Sequence, residues 1–167
     1  MSQCIFCPGG VARSSILLDG GAWWARLDIH PVSPMHTLII PKRHITNPHE
    51  LTVNEWGELR FAAAEVISLI ENETTASMRN RYEFIREQGG KLVWWFAEQV
   101  LSHPNLGEKP HGYNQGFNQG QAAGQTVDHL HWHIIPRYKG DVEDPRGGIR
   151  HVIPRLGNYQ ALRENNE

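Results

Sequence analysis

The chain reads as an α+β protein: an antiparallel sheet of about five strands with helices packed on one face, followed by an extended C-terminal tail. Three observations predict this. Short runs rich in β-branched and aromatic residues, bounded by Gly, Pro and Asp, lie toward the two ends of the sequence. Between them run stretches whose apolar residues recur every 3.6 positions. The length of 167 residues suits one domain, 1–167, with a real hydrophobic core.

From Ser14 to Pro41 three strands follow one another, SSILL, AWWARLDI and MHTLIIP. Asp19-Gly20-Gly21 makes the first turn, and His30-Pro31-Val32-Ser33-Pro34 separates the second strand from the third. Thr52 and Glu55 then form a capping box, and Trp56, Leu59, Ala63, Val66, Ile67 and Ile70 place a helix over about 52–72. Residues 73–111 read as a helical insertion of two pieces, MRNRYEFIREQ and KLVWWFAEQVL, broken at Gly89-Gly90. The Trp94-Trp95 pair in the second piece reads as core packing. Beyond the turn residues Pro104, Gly107, Pro110 and Gly112, the segments YNQGFNQG and TVDHLHWHIIP read as two more strands around a Gly-rich connection. The tail, about 138–167, has little periodicity and is expected to wrap over the surface. There is no internal repeat.

Composition narrows the function. A formal net charge of −2 excludes the non-specific nucleic-acid binders, whose affinity rests on many cationic contacts to phosphate. The start, Met1-Ser2-Gln3-Cys4, has no basic and apolar leader, and no apolar run reaches bilayer length. A cytoplasmic protein with no membrane partner is the expectation. Cys4 and Cys7 are the two cysteines, three positions apart, a poor disulfide framework but a common way of offering two thiolates to a metal or to redox chemistry.

The ten histidines are the more informative excess. His129, His131 and His133 alternate with Leu130, Trp132 and Ile134. On a strand the imidazoles share one face, spaced roughly 6.5–7 Å apart, and the apolar groups share the other. One histidine on a strand is usually structural. Three in register are not, because protonated rings at that spacing repel, and the cluster favours neutral rings held for ligation or catalysis. Just upstream, Asn118 to Thr126 is rich in Gly, amide and hydroxyl groups, a loop able to turn N–H and O–H donors toward an anionic oxygen. An imidazole attacking phosphorus needs such donors.

The segment AGQTVDHLHWHIIPR, Ala123 to Arg137, resembles the signature of the histidine triad family, alternating His and apolar residues after Gly-Gln-Ser/Thr-Val. The stretch from Asp28-Ile29-His30-Pro31 through His36 to Lys42 is similar to that family's other signature region. The resemblance implies the histidine triad (HIT-like) fold and a homodimer that binds purine nucleotides and breaks a bond at the α-phosphate. It makes His131 the nucleophile and gives His133 and His36 the orienting of phosphate and nucleophile, or help to the leaving group. Asn118, Gln125 and Thr126 would hold phosphate oxygens, Asp28 the ribose hydroxyls, and Leu27 and Ile29 the base. An imidazole's ordinary pKa near 6.5 leaves much of it neutral at cellular pH, so a histidine nucleophile needs no extra activation.

The tail Gly140 to Arg150 resembles tails of bacterial members related to diadenosine polyphosphate hydrolases. There Arg146 and Arg150 either reach a distal phosphate or are ordinary surface arginines. Residues 73–111 are longer than the link expected in this family. Two thiolates need two more ligands to make a closed Cys₂His₂ zinc site, and the cysteine spacing does not choose them. The resemblance does, giving His44 and His129 and a structural Zn²⁺, with His49 the nearest rival. His103, His111 and His151 sit in loops and are expected to be solvated.

These readings imply a nucleotide hydrolase that splits dinucleoside polyphosphates, of the diadenosine polyphosphate hydrolase type, through a nucleotidyl-His131 intermediate. Phosphorolysis, or cleavage of an adenosine phosphoramidate, uses the same histidine. A different class is a non-catalytic zinc- and nucleotide-binding interaction module presenting the 73–111 segment to a partner. An enzyme acting on adenylated DNA ends would need a basic or finger domain, and none is visible.

Overall fold

The structure, a computed structural model, describes residues 4–8 and 15–157. Ser14 and the tail beyond 157, on which expectations fell, lie outside them. Five strands, β1 (Ile16–Gly20), β2 (Trp23–Leu27), β3 (Thr37–Pro41), β4 (Gly112–Gly116) and β5 (Trp132–Arg137), form one antiparallel sheet in the order β1-β2-β3-β5-β4.

The helix opened by the capping box is α1 (Val53–Asn72). Thr52 Oγ1 accepts from the Glu55 amide at 3.2 Å, and the Glu55 carboxylate accepts from the Thr52 amide at 2.7 Å. Leu59, Val66 and Ile70 form its buried stripe. The insertion folds as α2 (Thr75–Gln88) and α3 (Lys91–Leu101), separated at Gly89-Gly90 as the sequence indicates. α2 begins three residues earlier than its apolar pattern because Thr74 caps it, accepting from Ser77 N. The Trp94-Trp95 pair is not core: each residue is 50% exposed. Adjacent helical residues point about 100° apart, and Ala97 and Val100 take the buried stripe of α3.

The helices cover one face of the sheet. Trp23, Ala25, Leu27, Ile39 and Ile134 meet Leu59, Val66 and Ile70 of α1, and the insertion adds Met78, Tyr82 and Val100 to the same core. On the opposite face lies a smaller cluster of Trp24, Leu38 and Ile40, covered by Phe6 from the N-terminal segment. Strand pairing sets the residues of this second face in rows. Arg26 pairs with Leu38 and Leu38 with His133, while the Asp28 amide donates to the His36 carbonyl at 2.9 Å. Paired residues of an antiparallel sheet project to the same side, so Arg26, Leu38 and His133 form one row and Asp28 and His36 begin the next.

Candidate active site and metal cluster

Of the three triad histidines, His133 alone lies on a strand, since β5 begins at Trp132. The strand expected from Thr126 starts six residues late. The Pro41 carbonyl, next in line on β3, is taken by His129 Nε2 at 2.8 Å instead of by a strand amide. Alternation survives in the extended backbone, and Leu130 and Ile134 enter the helix-side core with Trp132 packed against it. The rings of His131 and His133 are closer than strand spacing implies, 5.1 Å between centroids, because they tilt into an edge contact. YNQGFNQG likewise supplies strand only to Gly116.

Each ring has a distinct set of partners. His131, buried, sets Nδ1 2.8 Å from the His129 carbonyl. A carbonyl only accepts, so Nδ1 carries the proton and Nε2 is left with its lone pair. His36 Nε2 meets His133 Nδ1 at 3.0 Å, and the Val32 amide donates to His36 Nδ1 at 3.4 Å. His36 therefore donates from Nε2, and His133 carries its proton on Nε2. That Nε2 is buried without a hydrogen-bond partner among the described residues, a donor awaiting an acceptor. Burial, then the nearby His36 and His131, pushes the His133 pKa down to about 4. Burial also lowers His36, against the pull of Asp28, whose Oδ2 is 3.6 Å from Nδ1. Both shifts favour the neutral forms of His36 and His133.

His131 and His133 face a cavity of about 280 Å³. Of the other residues expected at a nucleotide site, Asp28, Ile29 and Thr126 also line it. Asn118, Gln125 and Leu27 do not. Gln125 fastens its own loop instead, its Oε1 accepting from Gly120 N at 2.7 Å and its Nε2 donating to Thr46 O at 3.0 Å. Leu27 points into the helix-side core. Ile5, Phe6, Arg26 and Leu38 line the cavity too, and sequence reasoning missed all four. Strand parity was the available signal for Arg26 and Leu38, since Arg26 alternates with Asp28 and Leu38 with His36. For Ile5 and Phe6 it was their place between the two cysteines.

The insertion reaches this site twice. Phe96 of α3 makes an edge contact with His30 on the cavity wall, centroids 5.2 Å apart. Tyr82 of α2 accepts from the Met35 amide at 2.7 Å, fixing the turn that delivers His36. The tail passes beside β4, where Ile149 would lie 3.6 Å from a Cβ at Gly116. Arg146 pairs with Asp144, and Arg150 donates to the Gly157 carbonyl. Of the loop histidines, His111 and His151 are exposed, while His103 is partly buried and accepts from Asn105 N.

A second cluster gathers Cys4, Cys7, His44 and His129, whose candidate ligand atoms all lie within 4.8 Å of one another. Cys4 Sγ is 3.4 Å and Cys7 Sγ 3.7 Å from His129 Nδ1, and Cys7 Sγ is 3.3 Å from His44 Nδ1. A tetrahedron with metal–sulfur bonds of about 2.3 Å and metal–nitrogen bonds of about 2.0–2.1 Å sets sulfur and nitrogen roughly 3.6 Å apart. The four residues fit such an ion. His129 also donates Nε2–H to Pro41, leaving Nδ1 as the free lone pair, the outer hydrogen bond that orients a ligating imidazole. His49, the rival, is not in this group.

The HIT domain family model matches residues 10–140. An adenosine 5'-monophosphoramidase of Schizosaccharomyces pombe is 30% identical over 139 residues, 81% of this chain and 74% of that protein. A bis(5'-adenosyl)-triphosphatase of Dictyostelium discoideum is 26% identical over 144 residues, 86% of this chain and 74% of that protein. An AP-4-A phosphorylase of Mycobacterium tuberculosis is 27% identical over 144 residues, 84% of this chain but 56% of that protein. The crystal structure of a member of the HIT family from Bacillus subtilis superposes with a TM-score of 0.53 at 30% identity, covering 84% of this chain and 77% of that one.

Proposed function

Because the chain belongs to the HIT (histidine triad) family, we propose that it hydrolyses dinucleoside polyphosphates at the α-phosphate through a nucleotidyl-His131 intermediate. One observation carries this reading. His131 Nδ1 is tied to the His129 carbonyl, so its Nε2 lone pair is available at a cavity that also holds the Nε2–H of His133, unpartnered among the described residues.

The Nε2 lone pair attacks the α-phosphorus, and a P–N bond forms as the bond to the bridging oxygen breaks. That oxygen leaves with its electron pair on the remainder of the polyphosphate. Water then attacks the same phosphorus, the electron pair of the P–N bond returns to Nε2, and a nucleoside monophosphate departs as the water's proton passes to solvent. His133 donates Nε2–H to an oxygen of the α-phosphate, with His36 fixing the ring. Thr126 supplies a further donor, Asp28 takes the ribose hydroxyls, and Ile5, Phe6 and Ile29 bound the base.

The first displacement is common to hydrolysis, phosphorolysis and phosphoramidate cleavage, so products separate them. Incubation with diadenosine tri- and tetraphosphate and an adenosine phosphoramidate, with and without inorganic phosphate, is expected to give a monophosphate whether or not phosphate is present. Release of a nucleoside diphosphate only when phosphate is added makes the chain a phosphorylase. His131→Ala is expected to abolish turnover and the trapped adduct while largely retaining nucleotide affinity. Nucleotide binding with neither turnover nor adduct in the wild type favours the non-catalytic module.

A structural Zn²⁺ on Cys4, Cys7, His44 and His129 belongs to the same proposal. With four protein ligands such an ion would leave no open position and would hold the N-terminal segment against the sheet. So do a homodimer, read as a solution mass twice that of the chain, and a cytoplasmic setting, read by fractionation. Among the described residues no helix is long and apolar enough to cross a membrane.

A further inference from the structure

We propose that Arg26 makes the base end of the cavity select guanine over adenine, its guanidinium forking onto the adjacent O6 and N7 acceptors of the purine. This deepens the function proposed above and rests on it for the direction in which the nucleotide lies.

Strand pairing puts Arg26 in the same row as Leu38 and His133, with Leu38 between them. Its backbone is therefore two strand spacings from that of His133, about 9.6 Å. With the α-phosphate at His131 and the ribose at Asp28, the far end of the cavity is left for the base. Ile5, Phe6 and Leu38 line the cavity with Arg26 and offer a guanidinium no acceptor from their side chains. Among the described residues, the one hydrogen bond the Arg26 side chain makes is from Nε to the Leu27 carbonyl at 3.2 Å. Burial lowers its pKa despite the opposing pull of Asp28, the sign of a cation short of solvation.

A guanidinium has N–H donors in a fixed fork and no acceptor. Guanine offers that fork two neighbouring acceptors, O6 and N7. Adenine pairs N7 with the N6 amino donor, which sets donor against donor. A phosphate on the ribose is the other group a fork would suit. It would have to stand beside the Asp28 carboxylate, two residues on and just past the end of β2 on the same side of the sheet, so charge repulsion disfavours it.

The test uses the full chain and two readouts. Affinities for GMP, AMP and adenosine 3',5'-bisphosphate are measured by calorimetry, and kcat/KM is measured for diguanosine and diadenosine tetraphosphate. GMP is expected to bind about ten-fold more tightly than AMP, with the same preference in kcat/KM. In Arg26→Leu the guanine-to-adenine ratio is expected to fall to about one, and Arg26→Lys should also lose most of it, because a single ammonium lacks the fork. Thermal melts establish that each variant is folded, and the wild-type ratio is decisive even where one is not. Equal or tighter binding of AMP by the wild type, a ratio that survives both substitutions, or a preference for the 3',5'-bisphosphate overturns the assignment. Failure of the enzymatic reading looks different: no dinucleotide is cleaved and no adduct forms, while the GMP-to-AMP ratio still reports on Arg26.

Discussion

Tyr82→Phe tests whether the helical insertion supports the active site. The Tyr82 side chain and Met35 are both wholly buried, and the phenol oxygen accepts the Met35 amide at 2.7 Å. Phenylalanine keeps the ring and its packing but leaves that amide without an acceptor. An orphaned buried donor costs about 1–3 kcal/mol. Met35 also has φ +63°, alone in the left-handed region among the described non-glycine residues, so its turn depends on outside restraint. For a domain of this size each kcal/mol moves Tm by about 2–4 °C, which gives a fall of about 2–12 °C. Met35 precedes His36, whose ring holds His133, so kcat is expected to fall as well, measured at a temperature where the variant is fully folded. Circular-dichroism melts and steady-state kinetics read the two effects. An unchanged Tm would refute the claim that this bond holds the turn, and an unchanged kcat would show that the turn does not govern the histidine pair.

Two other perturbations bear on the site. The His133 pKa is lowered to about 4 from an unfolded value near 6.5, so between these values the unfolded chain binds more protons than the folded one. The stability His133 contributes is therefore full above about pH 6.5 and is lost as pH falls through 4, on the order of 3 kcal/mol; chemical denaturation across that window should show it, and an equal slope in His133→Asn would contradict it. Metal removal by a chelator at neutral pH should lower Tm by roughly 5–10 °C, since an ion at 100 times its Kd contributes about 2.7 kcal/mol. Purified protein free of zinc, with a Tm indifferent to both chelator and added Zn²⁺, would remove the metal from the proposal.

Much of the architecture was legible because it is written in local chemistry. The reciprocal hydrogen bonds of Thr52 and Glu55 need only a three-residue spacing, and the broken helix pair needs only Gly89-Gly90. The histidine platform follows from two-residue alternation, which survives even where the ladder does not. What escaped the sequence depends on partners distant along the chain. Pro41 gives its carbonyl to a ring 88 residues away, and this delays β5. The Gln125 amide finds Thr46 O and Gly120 N in place of a ligand. Trp94 and Trp95 resemble core residues by composition, but two neighbours on a helix cannot both enter a core stripe only as wide as Ala97 and Val100.

The two clusters meet at His129. Its Nδ1 faces the cysteine thiols, its Nε2 is fixed by the Pro41 carbonyl, and its own carbonyl accepts Nδ1–H of His131. The last bond decides which nitrogen of His131 keeps a lone pair, so any force that fixes the His129 backbone also fixes the tautomer of His131. From the other side of the sheet, Tyr82 fixes the Met35 turn that carries His36, and His36 sets the tautomer of His133. His131 and His133 are thus set by separate supports, one running through the N-terminal cysteines and the other through the insertion. That separation explains how three imidazoles at alternate positions, two of them in ring contact, can carry protons on different nitrogens: each answers to a fixed acceptor or donor outside the triad's own rings.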